Sequence, residues 1–252
     1  MTSQTPSAGK LIGVVFGTAS HGVTMPGTHD RINGDFPGYA QTELERSHPG
    51  AQAMFLAGCG ADANPYPKGS IEITRVHGKA LAEEVARVLN GKLSPVPGPL
   101  RTELRQVDLP LRSFTRAEIQ QLPKVSWQQY FMERALAILD QGGKLPEQYR
   151  APFGLWQFGD ALTLVAFSGE TVVDYVAFTE SRLGPLGLWV SGYNSDLFGY
   201  LPSARILAEG GYETRGLYMG IGLFDPKVQD VVMAAVEDMA RAAGRKPKEN
   251  TK

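Results

Sequence analysis

The stretch Trp156-Gln157-Phe158-Gly159-Asp160-Ala161-Leu162-Thr163-Leu164-Val165-Ala166-Phe167, residues 156–167, decides the fold class. Two apolar runs flank a Gly-Asp pair, the usual hairpin dipeptide in reverse order, so Trp156–Phe158 and Leu162–Phe167 read as antiparallel strands joined by a two-residue turn. Outward from this hairpin, strand-like runs alternate with helical periodicity, the pattern of an α/β protein, and a hairpin among them makes the sheet mixed rather than purely parallel. The expected architecture is therefore α/β: a mixed β-sheet with flanking helices.

Upstream, Leu11–Phe16 and Ala51–Leu56 are short continuous apolar runs, consistent with buried strands. Between them lie a glycine-rich loop, Gly17–Gly38, holding two of the four histidines, and a helix from about Tyr39 to Ser47. A turn-rich loop, Gly58–Pro65, precedes Ser70–Leu89, where Ile73, Val76, Ala80, Leu81, Val85 and Val88 recur at helical spacing. Asn90–Leu100 carries three prolines and two glycines and reads as an internal connection within a single domain spanning residues 1–252. Downstream, Glu103–Leu111 alternates as a more exposed strand. Arg116–Gln141 holds two helical stretches, the second carrying Trp127, Tyr130, Phe131, Ala135 and Leu139. A helix is expected to start near Glu170, a strand to cover Leu188–Ser191, and a last helix to run over Pro226–Ala243 after Asp225.

At 252 residues the chain can bury a sizeable core, and its net charge of −1 offers no overall field for nucleic acid or an anionic membrane. The basic run Arg245-Lys246-Pro247-Lys248 reads as a frayed, solvated tail. A single cysteine, Cys59, excludes an internal disulfide framework and the usual cysteine-based zinc sites, and reads as a small buried residue at a strand end. No apolar run approaches the roughly 20 residues that span a bilayer. Met1–Lys10 lacks the apolar core of a signal peptide, so the expectation is a soluble chain that stays in the cytoplasm. Neither Ser168, Ser191 nor Ser203 sits in a Gly-x-Ser-x-Gly frame. Gly58-Cys59-Gly60 lacks the third glycine of a dinucleotide fingerprint, and no His-Glu-x-x-His helix is present. What remains is a metal site assembled from separated loops with His, carboxylate or other oxygen ligands.

Three segments carry a resemblance. The first is Leu11–Ala40, with Ala19-Ser20-His21 after the strand and then Asn33-Gly34-Asp35-Phe36-Pro37-Gly38-Tyr39-Ala40. The second is Phe55-Leu56-Ala57-Gly58-Cys59-Gly60-Ala61-Asp62-Ala63-Asn64-Pro65. The third joins Phe167-Ser168-Gly169-Glu170 to Gly199-Tyr200-Leu201-Pro202 and Gly210-Gly211-Tyr212-Glu213. In this order and spacing they resemble the neutral, non-lysosomal ceramidase family. The resemblance implies zinc held by His21, Glu170 and Tyr200. It gives Tyr212 and Asn64 a place in the substrate pocket, where they would hold the substrate or its developing oxyanion, and puts Asp35 among the active-site residues. It implies cleavage of amide or ester bonds in acylated small-molecule or lipid substrates, and an aromatic loop (Trp189, Tyr193, Phe198) that accepts an acyl chain or packs in the core. The family's catalytic domain begins well upstream, where it supplies a further histidine ligand and an arginine. Residues 1–10 contain neither, and the family is usually exported, so the chain reads as a shortened relative or a fragment. Loss of the upstream portion implies an exposed sheet edge or apolar face covered by homo-oligomerisation.

By position alone, several of these residues have simpler readings. His21 leaves a strand into a loop, where a histidine is ordinarily hydrogen-bonded. With Ser168 as N-cap, Glu170 falls in a first helical turn, where a carboxylate favours the dipole by about 0.3–1 kcal/mol. Tyr200 reads as packing beneath its loop. His29 reads as solvated or as a stand-in for the upstream histidine, His48 as a helix-end residue, and His77 as a helix residue with no evident partner. Asp62 either orients a ligand or shapes the loop by an Asx-turn. Two alternatives to a zinc hydrolase stand beside it: a non-catalytic remnant that binds lipid or a partner chain, and a metal-free esterase using Ser20-His21 or another serine.

Overall fold

A computed structural model describes residues 2–4 and 10–245, the side chains of 2–4 and 126–128 excepted. Met1, residues 5–9 and the Lys246-Pro247-Lys248 part of the basic run lie outside the described residues. The chain divides into two compact units, Met1–Pro97 and Gly98–Lys252, and the division falls inside the Pro/Gly-rich stretch 90–100.

The first unit is a three-stranded sheet with two helices. Strand β1 (Thr2–Gln4) pairs antiparallel with β2 (Gly13–Phe16). After helix α1 (Asp35–Ser47), β3 (Gln52–Phe55) pairs parallel with β2, Val14 opposite Ala53 and Phe16 opposite Phe55. Helix α2 (Ile71–Leu89) is capped by Ser70, whose hydroxyl accepts from the Ile73 N–H at 3.2 Å. The apolar stripe of α1 is Phe36, Ala40 and Leu44, spaced by four. That of α2 runs through Thr74, Gly78, Ala82 and Val85, so each helix turns one face inward. Val14, Phe16, Ala40, Leu44, Ala53, Ala82 and Val85 form the core, with Phe55 edge-on to Phe16 at 5.7 Å. Gly78 sets the helix spacing, because a Cβ there would stand 2.5 Å from the Tyr39 Cβ and 2.9 Å from the Phe36 carbonyl. Helix α1 starts four residues earlier than its apolar pattern places it. Asp35 turns the chain at φ +52° and its own carboxylate accepts the Phe36 N–H at 2.8 Å, which organises the first turn ahead of the apolar stripe.

The second unit holds the mixed sheet. Strand β4 (Leu100–Pro110) leads to α3 (Arg116–Gln121), α4 (Ser126–Asp140), β5 (Gln148–Phe158) and β6 (Leu162–Ala166). There follow β7 (Glu170–Thr171), α5 (Asp174–Leu183), β8 (Leu188–Ser191), β9 (Tyr200–Leu201), α6 (Ala204–Glu209), a single 3₁₀ turn at Tyr212–Thr214, and α7 (Val228–Ala242). The order β4-β5-β6-β8 has two antiparallel pairings and one parallel one, the mixed sheet expected from residues 156–167. The hairpin between β5 and β6 uses three residues rather than two. Phe158 pairs with Leu162, and Gly159 turns the chain at φ +51°. Helix α7 lays Val228, Val232, Val236 and Met239 along β4 and β5. Fully burying such side chains contributes roughly 1.5–3 kcal/mol each.

Two expectations are corrected here. No helix starts at Glu170: the residue lies in β7, its N–H donates to the Gly199 carbonyl at 2.8 Å, and α5 begins at Asp174. Gly169, at φ +77°, breaks the run before any helical turn forms, so the dipole explanation for Glu170 does not apply. Ser168 is accordingly not an N-cap, and its buried hydroxyl donates to the Pro152 carbonyl. Arg245 is not part of a solvated tail either. Its guanidinium donates to the carbonyls of Leu183 at 2.9 Å, Gly184 at 3.0 Å and Leu186 at 3.1 Å, gathering the orphan acceptors at the end of α5.

Asp174, at the start of α5, ties that helix to the segment following β9. Its carboxylate accepts two bonds from Arg205, Nε at 3.0 Å and Nη2 at 2.9 Å, and one from the Ser203 hydroxyl at 2.5 Å. The Arg205 bonds foremost, and then Ser203, hold the Asp174 carboxyl below the usual carboxylate range. A depressed folded-state value means the stabilisation is present above the unfolded value and is lost as pH falls through the folded one. Asp174→Asn is therefore expected to lower Tm near neutral pH by about 2–4 °C. The difference from the wild type should close as pH drops below the usual carboxylate range. Thermal melts across an acid pH series check this, and a pH-independent difference would speak against the ion pair as its source.

Candidate functional site

In the first unit the two glycine-rich loops that follow β2 and β3 are laced together. The Gly58 N–H donates to Thr18 at 3.1 Å and the His21 N–H to Ala63 at 2.9 Å. The Ser20 hydroxyl lies within reach of the His21 and Ala63 carbonyls, at 3.4 and 3.5 Å. The His21 ring donates from Nε2 to the Ala61 carbonyl at 2.7 Å. That bond fixes the tautomer, because a neutral imidazole donating from Nε2 carries its lone pair on Nδ1. A ring braced in this way against a backbone carbonyl is oriented as metal-binding histidines are.

The bracing depends on Gly60. A Cβ at that position would stand 2.4 Å from the Ala19 carbonyl carbon and the Ser20 nitrogen, so only glycine lets the second loop pass beneath the first. Asn64 is exposed at the far end of this loop, and Asp62 is exposed beside Ala61. Cys59 is fully buried, and burial first, with the Asp62 charge second, pushes its thiol well above the ordinary range, as for an inert packed residue.

His48 and His77 lie on or beside the helices, whereas His29 lies further along the loop that follows β2 and Asp35 at its end, where α1 begins. His48 ends α1 and its Nδ1 donates to the Leu44 carbonyl at 3.1 Å, as a helix-end residue should. His77, which had no evident partner in the sequence, donates from Nε2 to the Pro67 carbonyl at 2.8 Å. Asp35 is buried, with Oδ2 accepting from Met25 N–H at 2.9 Å and Oδ1 from Phe36 N–H, and it lines a cavity together with His29.

In the second unit, Glu170 and Tyr200 are brought together by the backbone. They are register partners in the parallel pair β7–β9, which places both side chains on one face. Two glycines permit this. Gly169 packs so closely that a Cβ would meet the Phe198 ring at 2.7 Å, and Gly199, at φ +143°, would meet the Gly216 carbonyl at 2.4 Å. The segment that presses on Gly199 also delivers a residue the sequence reading missed. The Tyr218 N–H donates to Phe198 at 2.8 Å, and its hydroxyl donates to Glu170 Oε1. Tyr200 lies edge-on to Tyr218 at 6.1 Å and to Tyr212 at 5.6 Å. Arg215, also missed, places its guanidinium over both the Tyr218 ring, at 4.5 Å, and the Tyr212 ring, at 4.8 Å. A tyrosine flanked by glycines, Gly216-Leu217-Tyr218-Met219-Gly220, was the available signal for this segment.

The aromatic loop divides. Phe198 is buried between Tyr149, at 5.4 Å, and Phe224, at 5.6 Å, and is a core residue. Trp189 and Tyr193 are half-buried.

Burial first, and then the Glu170 charge, pushes the Tyr200 phenol up to about 12. Burial and the bond to Glu170 push Tyr218 higher still. Both phenols therefore hold their protons at neutral pH around a carboxylate. A cation at this position would reverse the balance, since it stabilises phenolate and carboxylate together. Taken unit by unit, the carboxylate and phenol on paired strand ends of the second unit and the imidazole of the first are each of a kind that zinc takes as a donor. Among the described residues no three His, Cys, Asp or Glu side chains form a cluster. The implied set does not require one, since it contains one His, one Glu and a Tyr.

No family model and no curated protein matches the chain. Solved structures do. The crystal structure of neutral ceramidase from Pseudomonas aeruginosa superposes with a TM-score of 0.66 at 21% identity, over 99% of this chain and 47% of that one. A structure described as ceramidase complexed with C2 superposes with a TM-score of 0.66 at 18% identity, over 99% and 48%. The chain spans about half the length of these structures and has their fold over nearly its whole extent. The fold is thus the one that the ordered motifs around His21, Glu170 and Tyr200 resemble.

Gly60→Ala tests the loop bracing. Forcing a Cβ into the Ala19–Ser20 backbone should destabilise the first unit by about 1–3 kcal/mol. It should also shift the His21 ring resonances, readable by denaturant unfolding and NMR. A neutral substitution with unchanged His21 resonances would contradict the close approach.

Proposed function

We propose that this chain is a zinc-dependent hydrolase that cleaves amide or ester bonds of acylated, lipid-like substrates. The observation that carries the proposal is the pairing of Glu170 with Tyr200 on adjacent strand ends, bonded and packed by Tyr218, within a ceramidase-like fold. The solved ceramidases that share this fold support the substrate class.

His21, Glu170 and Tyr200 would hold the metal. When bound, zinc supplies Lewis-acid polarisation of an acyl carbonyl and a water acidified to near neutrality. The protein's own part is positioning and proton control. Glu170 is fixed at its backbone by Gly199 and at its carboxylate by Tyr218. Tyr212, about half exposed, has its hydroxyl bonded by Arg215 and its ring beneath the same guanidinium. This phenol is suited to donate to a developing oxyanion, and exposed Asn64 offers a second donor of the same kind. The metal-free esterase draws less support, because the Ser20 hydroxyl is directed at backbone carbonyls and the His21 Nε2 at Ala61, an arrangement that braces a loop.

Purified protein is expected to contain zinc and to hydrolyse short acyl esters, then N-acyl amides, with turnover abolished by a chelator and restored by zinc. His21→Ala and Glu170→Ala should each lower both zinc content and turnover by roughly 100-fold. Turnover that survives chelation would sink the zinc mechanism. Stable, zinc-free variants with no turnover to lose would instead favour a non-catalytic binding module.

Tyr218→Phe separates positioning from ligation. It keeps the ring against Tyr200 but removes the bond to Glu170, and should lower zinc affinity by about 10–100-fold while the fold is kept. Metal titration followed by circular dichroism checks it, and unchanged affinity would remove Tyr218 from the site.

A further inference from the structure

The first unit contains a cavity of about 520 Å³ lined by residues between Gly22 and Gly69. Its charge is unbalanced. Arg31, Lys68 and His29 all line it, and among the described residues neither Arg31 nor Lys68 enters an ion pair. The single lining carboxylate, Asp35, is already satisfied by the backbone N–H groups of Met25 and Phe36. Two helices also begin at its wall. Helix α1 starts at Asp35, next to lining Asn33, and α2 starts at Ile71, just after lining Lys68 and Gly69. The N-terminus of α2 contributes a partial positive charge in the same sense as the two cations, whereas that of α1 is already taken by the Asp35 carboxylate. One internally bonded carboxylate does not suit a divalent cation, which takes several oxygen ligands.

From this geometry we infer that the cavity binds a small oxyanion, the phosphate or carboxylate group of a soluble ligand. Arg31 offers the planar, two-pronged donor that such groups accept, and Lys68 a mobile point charge. Val23, Met25 and Pro26 line the same space and leave room for a short apolar portion of the ligand. The inference invokes neither His21, Glu170 nor Tyr200, although the cavity is also lined by Gly22, next to His21, and by Asp35, which the resemblance places among the active-site residues.

Calorimetric titration of the full chain with inorganic phosphate, and separately with acetate, tests it. Phosphate is expected to bind at low ionic strength and to weaken as salt shortens the Debye length below about 10 Å. The double variant Arg31→Gln, Lys68→Gln should bind at least about tenfold more weakly. Lys92→Gln, Lys144→Gln, with the same change in net charge at exposed positions outside the lining, should bind as the wild type does. Binding of phosphate alone identifies a phosphate ligand, and comparable binding of acetate a carboxylate one. No heat with either anion, or equal loss in both double variants, overturns the site. Circular dichroism melts confirm that each variant is folded.

Discussion

The second unit's site depends on one constraint, the parallel pairing of Glu170-Thr171 with Tyr200-Leu201. Two residues per strand is very little ladder, and such a pair would not hold in isolation. It holds because the backbone on both sides has no side chain in the way. Gly169 admits the Phe198 ring and Gly199 admits the Gly216 carbonyl, each at a distance no Cβ tolerates. The pairing is also anchored just downstream, where Ser203 and Arg205 fasten to Asp174. Register then does the chemical work: direct partners in a parallel pair share a face, so a carboxylate and a phenol separated by thirty residues of chain are brought side by side.

Once Glu170 and Tyr200 are adjacent, the rest of the cluster follows from electrostatics. A partly buried carboxylate needs donors, and Tyr218 supplies one. Phenols crowded around that charge keep their protons, Tyr200 to about 12. Arg215, lying over two of the rings, offsets part of the negative field and orients Tyr212 through its hydroxyl. The result is a set of oxygen atoms held close together around a carboxylate, with both phenols protonated at neutral pH. Such an arrangement is costly if its sole purpose is packing, since apolar side chains of equal volume would fill the space without desolvating a carboxylate.

Much of this was legible in the sequence, and the limits have identifiable causes. The hairpin at residues 156–167 gave the mixed sheet because strand periodicity and a Gly-Asp pair are local signals. The helix ends at Ser47, Leu89 and Ala242 were likewise close to their apolar patterns. Glu170 was misread as a helix start because a serine, a glycine and a carboxylate in succession imitate a cap. What decides against the helix is Gly169 at φ +77° and a partner strand thirty residues away, neither of which is local. Arg245 was misread for the same reason: the carbonyls that receive it belong to α5, some sixty residues earlier. Tyr218 and Arg215 carried no signature beyond the glycines flanking Tyr218, because their role is set by the return of the 216–222 segment onto Phe198 and Gly199.

The same distinction explains why two kinds of site residue differ in how they can be read. His21 is placed by covalent neighbours: a strand end, a glycine-rich loop, and a second loop whose Gly60 lets the two pass in contact. Each of those features is a short motif, and each is visible in one dimension. Glu170, Tyr200 and Tyr218 are placed by sheet register and by glycine-permitted crossings, which leave only isolated glycines in the sequence. A glycine before an acid or a tyrosine, as at Gly169-Glu170 and Gly199-Tyr200, is therefore more than a turn signal in this fold. It marks where the backbone must be approached so closely that the following side chain has one direction left to point, and that direction is the site.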